Sequence, residues 1–340
     1  MKKSTQSGFT LVEFLIAATI SLALIEGVYS LVYCSNILTA KCLALNSTNV
    51  ESRNTMDQMQ GMLQTAYTAP VPISGSGVAL SSLLTLTGTA NTLSMAPVYT
   101  GTTATITGTG AGIKFKRCVG GPYQTQIPTT GLLSTAASGT VVIDNRALPL
   151  PPPPQKYDIL AINSTAIISG TGYQVWATVS GVTGTSTSGN LVTYTVSLSG
   201  TMTDKSEKVL STGTAIQYQT DNNNKAITCY TLLLRPTAFL FYTTVTTSAT
   251  TTELRLLDPC TMTGSNVNVS ANYTTLTRAV DITTTPPAQF AIVNLGGKTF
   301  VSSLLRIRYS DDDNYLANKQ FDGFSTYMGL GTMIHLKSMP

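Results

Sequence analysis

Apolar residues run almost unbroken from Phe9 to Tyr33, with Glu13 and Glu26 the only charged positions among them. A run of this length crosses a bilayer with some tilt. Beyond it the pattern turns amphipathic. Leu45, Met56, Met59, Leu63 and Ala66 recur at helical steps, while Asn49, Glu51, Arg53, Asp57 and Gln60 fill the other faces. The spacing predicts one long helix from Phe9 to Tyr67, ended by Pro70 and Pro72. The polar run Asn46-Ser47-Thr48-Asn49 is a candidate break.

After Pro70 the period shortens. Short alternating or apolar runs recur between Gly, Ser and Asn turns: Gly112–Lys116, Tyr157–Ile162, Tyr173–Val179, Leu191–Leu198, Ala226–Leu234, Ala238–Val245 and Thr299–Arg308. Their spacing predicts antiparallel sheet, and the fold class is α+β, a long N-terminal helix with a β-rich head over residues 70–340. Composition supports this: the chain has 57 threonines, most of them after Pro70, and threonine favours strands. Charged residues are only 11%, so hydroxyls supply the polar surface. Ser74–Gly112 and Gly181–Gly189 are rich in Gly, Ser and Thr; the first carries enough Leu, Val and Ile to read as strand. Prolines at 149 and 151–154 predict a stiff extended segment. It is either a crossover within one domain or a spacer between two lobes split near 149–154.

The start of the chain is less ordinary. Lys2 and Lys3 precede the apolar run, and Gly8, a small residue suited to cleavage, stands before the run and not after it. A secretory signal would have its cleavage site beyond the apolar core. A plain anchor would leave Glu13 unexplained, because an acidic group at membrane depth costs about 2.5–3.5 kcal/mol on insertion scales. After cleavage behind Gly8, Glu13 lies one helical turn from the new amine of Phe9 and complements the helix dipole. In a stack of such helices the Glu13 carboxylate of one subunit can meet the Phe9 amine of a neighbour.

The stretch Gly8-Phe9-Thr10-Leu11-Val12-Glu13-Phe14-Leu15-Ile16-Ala17 resembles the leader junction of type IV pilins and type II secretion pseudopilins. The resemblance implies a leader over 1–8 removed after Gly8 by a prepilin peptidase, N-methylation of Phe9, a transmembrane half over 9–33, an amphipathic periplasmic half over 34–69, and Glu13 as the assembly residue. It also implies an inner-membrane, single-pass chain with a cytoplasmic N-terminus, as Lys2 and Lys3 favour, that later enters a pilus. Its partners would be major and minor pilins, the peptidase and methyltransferase, and the assembly platform. Length and the absence of proline before Pro70 resemble the larger minor pilins, the PilW-like group, and the related J-class pseudopilin.

The remaining chemistry narrows the function. Glu26 is either a side chain reaching for headgroups or a second helix contact. Removing Lys2 and Lys3 lowers the formal net charge from +4 to +2, too little to imply nucleic-acid binding. Of five cysteines, Cys34 and Cys42 are about 12 Å apart on an intact helix and cannot bridge; Cys229–Cys260 is the expected pair. His335 is the only histidine, and no catalytic motif accompanies it. Asp311 and Asp313 in Asp311-Asp312-Asp313-Asn314 are a solvated turn or a weak Ca²⁺ loop. Neither an enzyme nor a cofactor is expected. The roles that remain are a minor pilin that primes or caps the filament, a pseudopilin of a type II secretion tip, and a tip adhesin.

Overall fold

The structure, a computed structural model, describes residues 10–73, 104–110, 112–126, 132–133, 138–144, 151–168, 171–205, 207–210, 215–216, 229–245, 250–263, 266–268, 272–277, 280, 289–295, 298–308 and 327–335. It has the expected α+β character, an apolar N-terminal helix and a large antiparallel sheet. Helix α1 covers Leu11–Gln64 and passes through Asn46–Asn49 without a break; none of these four is a Gly or Pro, and their weaker helix propensity is a small cost. The strands are β1 (Val71–Pro72), β2 (Ala104–Gly110), β3 (Gly112–Gln126), β4 (Leu132–Leu133), β5 (Ser138–Asp144), β6 (Ile159–Ile168), β7 (Thr171–Ser188), β8 (Leu191–Asp204) and β9 (Ala215–Ile216). There follow β10 (Cys229–Val245), β11 (Thr250–Leu257), β12 (Met262–Thr263), β13 (Asn266–Val267), β14 (Tyr273–Thr277), β15 (Gln289–Leu295), β16 (Lys298–Arg308) and β17 (Tyr327–His335). Two compact units divide the chain: one holds α1 as far as Glu51, and the other runs from Ser52 to Arg308 and includes β17.

In the larger unit the main sheet closes on itself. Hydrogen-bonded pairs lead from β3 to β5, β8, β7, β6 and β10, and β10 pairs again with β3. Six antiparallel strands therefore form a ring. Side chains alternate across it, as a strand requires. Leu160 and Ile162 of β6, Val175, Ala177 and Val179 of β7, and Leu233 of β10 share one buried cluster. Ile159, Ala161, Trp176 and Leu234 point the other way and form a second, against Tyr67. Strand β6 is thus buried on both faces at its start, which explains the continuous apolar run Ile159-Leu160-Ala161-Ile162.

Two strands serve both the ring and an open sheet. The early half of β10 pairs with β6 and the late half with β11, which continues to β14. Likewise β3 pairs with β1 near its start and with β5 near its end. The described parts of the separately predicted runs Ala226–Leu234 and Ala238–Val245 are one strand, Cys229–Val245, continuous through Pro236; residues 226–228 lie outside the described residues. Proline has no N–H to give, and here β10 needs none: Arg235–Thr237 lie between the residues paired with β6 and those paired with β11.

The stripe predicted on α1 packs in this unit. Met56, Met59 and Leu63 are buried in one cluster with Phe115, Phe239, Phe241 and Phe290, while Arg53, Asp57 and Gln60 are exposed. Ser52 and Thr55 are also buried on this face, and Thr55 donates to the Leu276 carbonyl at 3.5 Å. Phe290 comes from a second sheet, ordered β17–β16–β15–β2.

Several runs are longer than predicted. Strand β7 extends through Gly181–Ser188, part of the low-complexity stretch, because Val182, Thr185 and Thr187 pair along β8 before the turn at Gly189. Pro151–Pro154 connect β5 to β6, two strands of the same ring. Most of Ser74–Gly112 lies outside the described residues.

Candidate functional site

The first candidate lies on the apolar helix. Thr10 precedes α1, and its backbone N–H and its hydroxyl both donate to Glu13 Oε2 at 2.9 Å. The Glu13 N–H donates to Thr10 Oγ1 at 3.3 Å. This reciprocal arrangement is a capping box, which satisfies backbone donors that a helix start leaves open. The sequence reading gave Glu13 no partner within its own chain, and the Thr10-x-x-Glu13 spacing was the signal for it. Leu11–Ala40 is long and apolar enough to cross a membrane, and none of this apolar span is buried inside the chain. Glu26 is exposed on it, and Tyr29 stacks on Tyr33 with ring centroids 6.5 Å apart. Gly8 and Phe9 lie outside the described residues.

The second candidate was not foreseen. Strand β3 buries Ile113 and Phe115 on one face and turns Lys114 and Lys116 to the other. There, a pocket of about 400 Å³ opens beside Pro236 and Thr237, in the stretch of β10 that pairs with β3 but with neither β6 nor β11. Lys116 pairs with Glu207 and sits 4.5 Å from the Trp176 ring centroid, a cation–π contact. Burial pulls the Lys116 ammonium below its ordinary pKa, against the opposing pull of Glu207. The bond to Lys116 holds the Glu207 carboxyl below the usual range. Lys114 forms no ion pair among the described residues.

Two buried or half-buried ion pairs involve residues adjacent in sequence to those lining the pocket. Asp158 accepts from Arg235 Nε at 2.7 Å and from Arg235 NH2 at 2.9 Å, and Arg117 pairs with Asp258. Asp158 also accepts the Gln155 N–H at 2.8 Å, and its carbonyl accepts the Val179 N–H at 2.7 Å. These bonds fix Tyr157, held at φ 76° at the pocket wall. Glu207, on the same wall, has φ 63°. Only three non-glycine residues among those described adopt positive φ, so two of the three strained positions face one pocket. Thr261, also lining it, is 8% exposed, and its buried hydroxyl has no partner among the described residues. The Lys114-Phe115-Lys116 alternation could have shown the two cations on one strand face. The rest of the pocket comes from segments far apart in sequence.

The cysteines need a correction. Cys260 donates its backbone N–H to the Pro236 carbonyl at 2.6 Å. Cys229 begins the same β10, seven residues earlier, about 23 Å away at ~3.3 Å per residue. A bridge tolerates about 7 Å between Cα atoms, so the expected Cys229–Cys260 pair is not made, and Cys260 is a free, buried thiol. Cys34, Cys42 and Cys118 are free as well. Burial pushes the Cys260 thiol up to about 11, so little thiolate forms near neutral pH. Iodoacetamide at pH 8 is expected to leave Cys260 unmodified in the folded chain and to modify it fully after denaturation, as read by peptide mass spectrometry. Rapid labelling before unfolding would show that the site opens readily.

His335 ends β17 opposite Phe300. Asp311 and Asp313 lie outside the described residues, and among the described residues no three His, Cys, Asp or Glu side chains group to hold a metal. No family model matches this chain, and neither a curated protein nor a solved structure matches it.

Proposed function

We propose that the chain is a minor type IV pilin-like subunit, a non-enzymatic component held in the inner membrane by α1 and assembled through it into a filament. The observation that carries this reading is the apolar span Leu11–Ala40, unburied within its own chain and bearing Glu13 in its first turn. Each large apolar side chain on it gains about 1.5–3 kcal/mol when removed from water. Such a span therefore needs lipid or other helices around it. The leader-like Gly8-Phe9 junction, to be cut after Gly8 and methylated on Phe9, gives the span an entry into a filament. The head would then stand on the periplasmic side and later at the cell surface, among other major and minor pilins. It primes or caps the filament in this reading.

Glu13 then has two tasks, and two substitutions ask whether the charge alone is needed for assembly. Glu13→Gln keeps an acceptor for the Thr10 cap, since glutamine also serves at this position, but loses the charge that would meet a neighbour's Phe9 amine. Glu13→Leu loses both. Both variants are expected to insert into the membrane, and both are expected to be missing from sheared filaments when the head peptide Val209–Lys225 is quantified by mass spectrometry. Normal incorporation of Glu13→Leu would sink the proposed role. Wild-type chain found only in membranes would move the assignment to a secretion pseudopilin.

A further inference from the structure

We propose that the pocket beside Lys114 is a binding site for a small hydroxylated monoanion of the sugar-acid class. The proposal goes beyond the pilin-like reading and does not depend on it. Its size suits a small molecule, since such sites typically enclose about 300–1,000 Å³. Its charge suits one carboxylate. Lys116 is committed to Glu207, and the Arg235–Asp158 and Arg117–Asp258 pairs are balanced. Lys114 is a second cation beside the single Glu207 carboxylate, so the charged side chains lining the pocket, Lys114, Lys116 and Glu207, leave one net positive charge among the described residues. A phosphate dianion would call for more donors than this, and no arginine lines the pocket among the described residues. The ammonium of a zwitterion would call for an open carboxylate, and Glu207 is taken.

The hydroxyls point to a hydroxylated ligand. Thr68, Thr178, Thr237 and Thr261 line the pocket. Thr68 already accepts the Lys116 N–H at 2.9 Å, and Thr237 donates to the Arg235 carbonyl at 3.2 Å. Thr178 stands half-buried on the same wall. A wall this rich in hydroxyls suits a ligand that carries hydroxyls of its own. Tyr157, Ile159 and Pro236 supply apolar surface for the C–H face of a sugar ring. The strain at Tyr157 and Glu207 fits a wall set in place before the ligand arrives, because such strain gathers at ligand clamps.

The test is calorimetric titration and thermal melting of the full chain in detergent, with D-galacturonate as probe. D-galactose is the neutral counterpart, and polygalacturonate presents the same group within a polysaccharide. Galacturonate or its polymer is expected to bind and raise Tm, with galactose inert; which of the two binds tells a free sugar acid from a polysaccharide residue. Lys114→Met is expected to weaken binding at least about tenfold, the effect of losing one charge-assisted bond. Thr178→Val should bind several-fold more weakly, while its Tm without ligand stays near that of wild type, because the substitution keeps the side-chain shape and deletes a hydroxyl from the pocket wall. That separates lost binding from lost folding. Lys208→Met, outside the pocket, should bind as wild type. Failure of both uronates to bind, equal binding of galactose, or unchanged affinity in Lys114→Met would each overturn the proposal.

Discussion

Replacing Asp158 with alanine is expected to cost about 3–5 kcal/mol of stability, the penalty for leaving a buried partner charge uncompensated. Asp158 is fully buried, and Arg235 is 7% exposed. Two parallel bonds join them, and the shared geometry also holds Gln155 and Val179. Removing the carboxylate strands a guanidinium that cannot lose its proton. Urea denaturation should show the midpoint falling with its slope unchanged. The double substitution Asp158→Leu with Arg235→Met should recover much of the loss, because well-packed apolar residues often replace a buried pair without harm. A loss below about 1 kcal/mol, the size of an exposed pair, would show that water reaches these groups in solution.

A loss of similar size is expected for Phe239→Ala, about 3–5 kcal/mol for a phenylalanine deleted from a packed core. Phe239 is fully buried. Its ring centroid lies 5.9 Å from Phe115 and 6.5 Å from Phe290, and Phe290 lies 5.0 Å from Phe241. Phe115, Phe239 and Phe241 belong to the main sheet, Phe290 to the second, so this one ring meets both sheets. Each such aromatic contact adds about 0.5–1.5 kcal/mol to the area term. The comparison is Val182→Ala on β7, 41% exposed, which should stay within about 0.5 kcal/mol of wild type. Near-equal melting of the two variants would mean that this cluster does not carry the core.

The helix was legible because its code is local. The spacing of Met56, Met59 and Leu63 is enough to find a buried face, and the buried polar residues Thr48, Ser52 and Thr55 escaped it. Strands were found but cut short where a charge, a proline or a small polar residue such as Asn163, Ser180 or Ser199 interrupted the apolar pattern. Gly112–Lys116 stopped at the basic residues, yet β3 runs on to Gln126, because Glu207 and Asp258 neutralise Lys116 and Arg117. The gap at Arg235-Pro236 had the same origin: Asp158 lies 77 residues away. Nothing in a short window reports such a partner. The cysteine pairing failed for a related reason, since sharing the C-terminal half of a sequence says nothing about position along a strand. The pocket was invisible because its walls meet only after the ring has closed.

That closure sets an order of events as the chain is made. Strands β3 and β5 to β8 emerge within residues 112–204, but β10, which joins β6 to β3, comes only at 229–245. Until it arrives, the growing sheet has two unpaired edges, and one side of Leu160, Ile162 and Val175 is still open to water. Unpaired apolar edges invite pairing with other chains, and contacts this distant in sequence form slowly. A nascent chain halted shortly before Cys229 should therefore be bound by holdase chaperones and cleaved readily, whereas one extended past Val245 should release them and resist the protease.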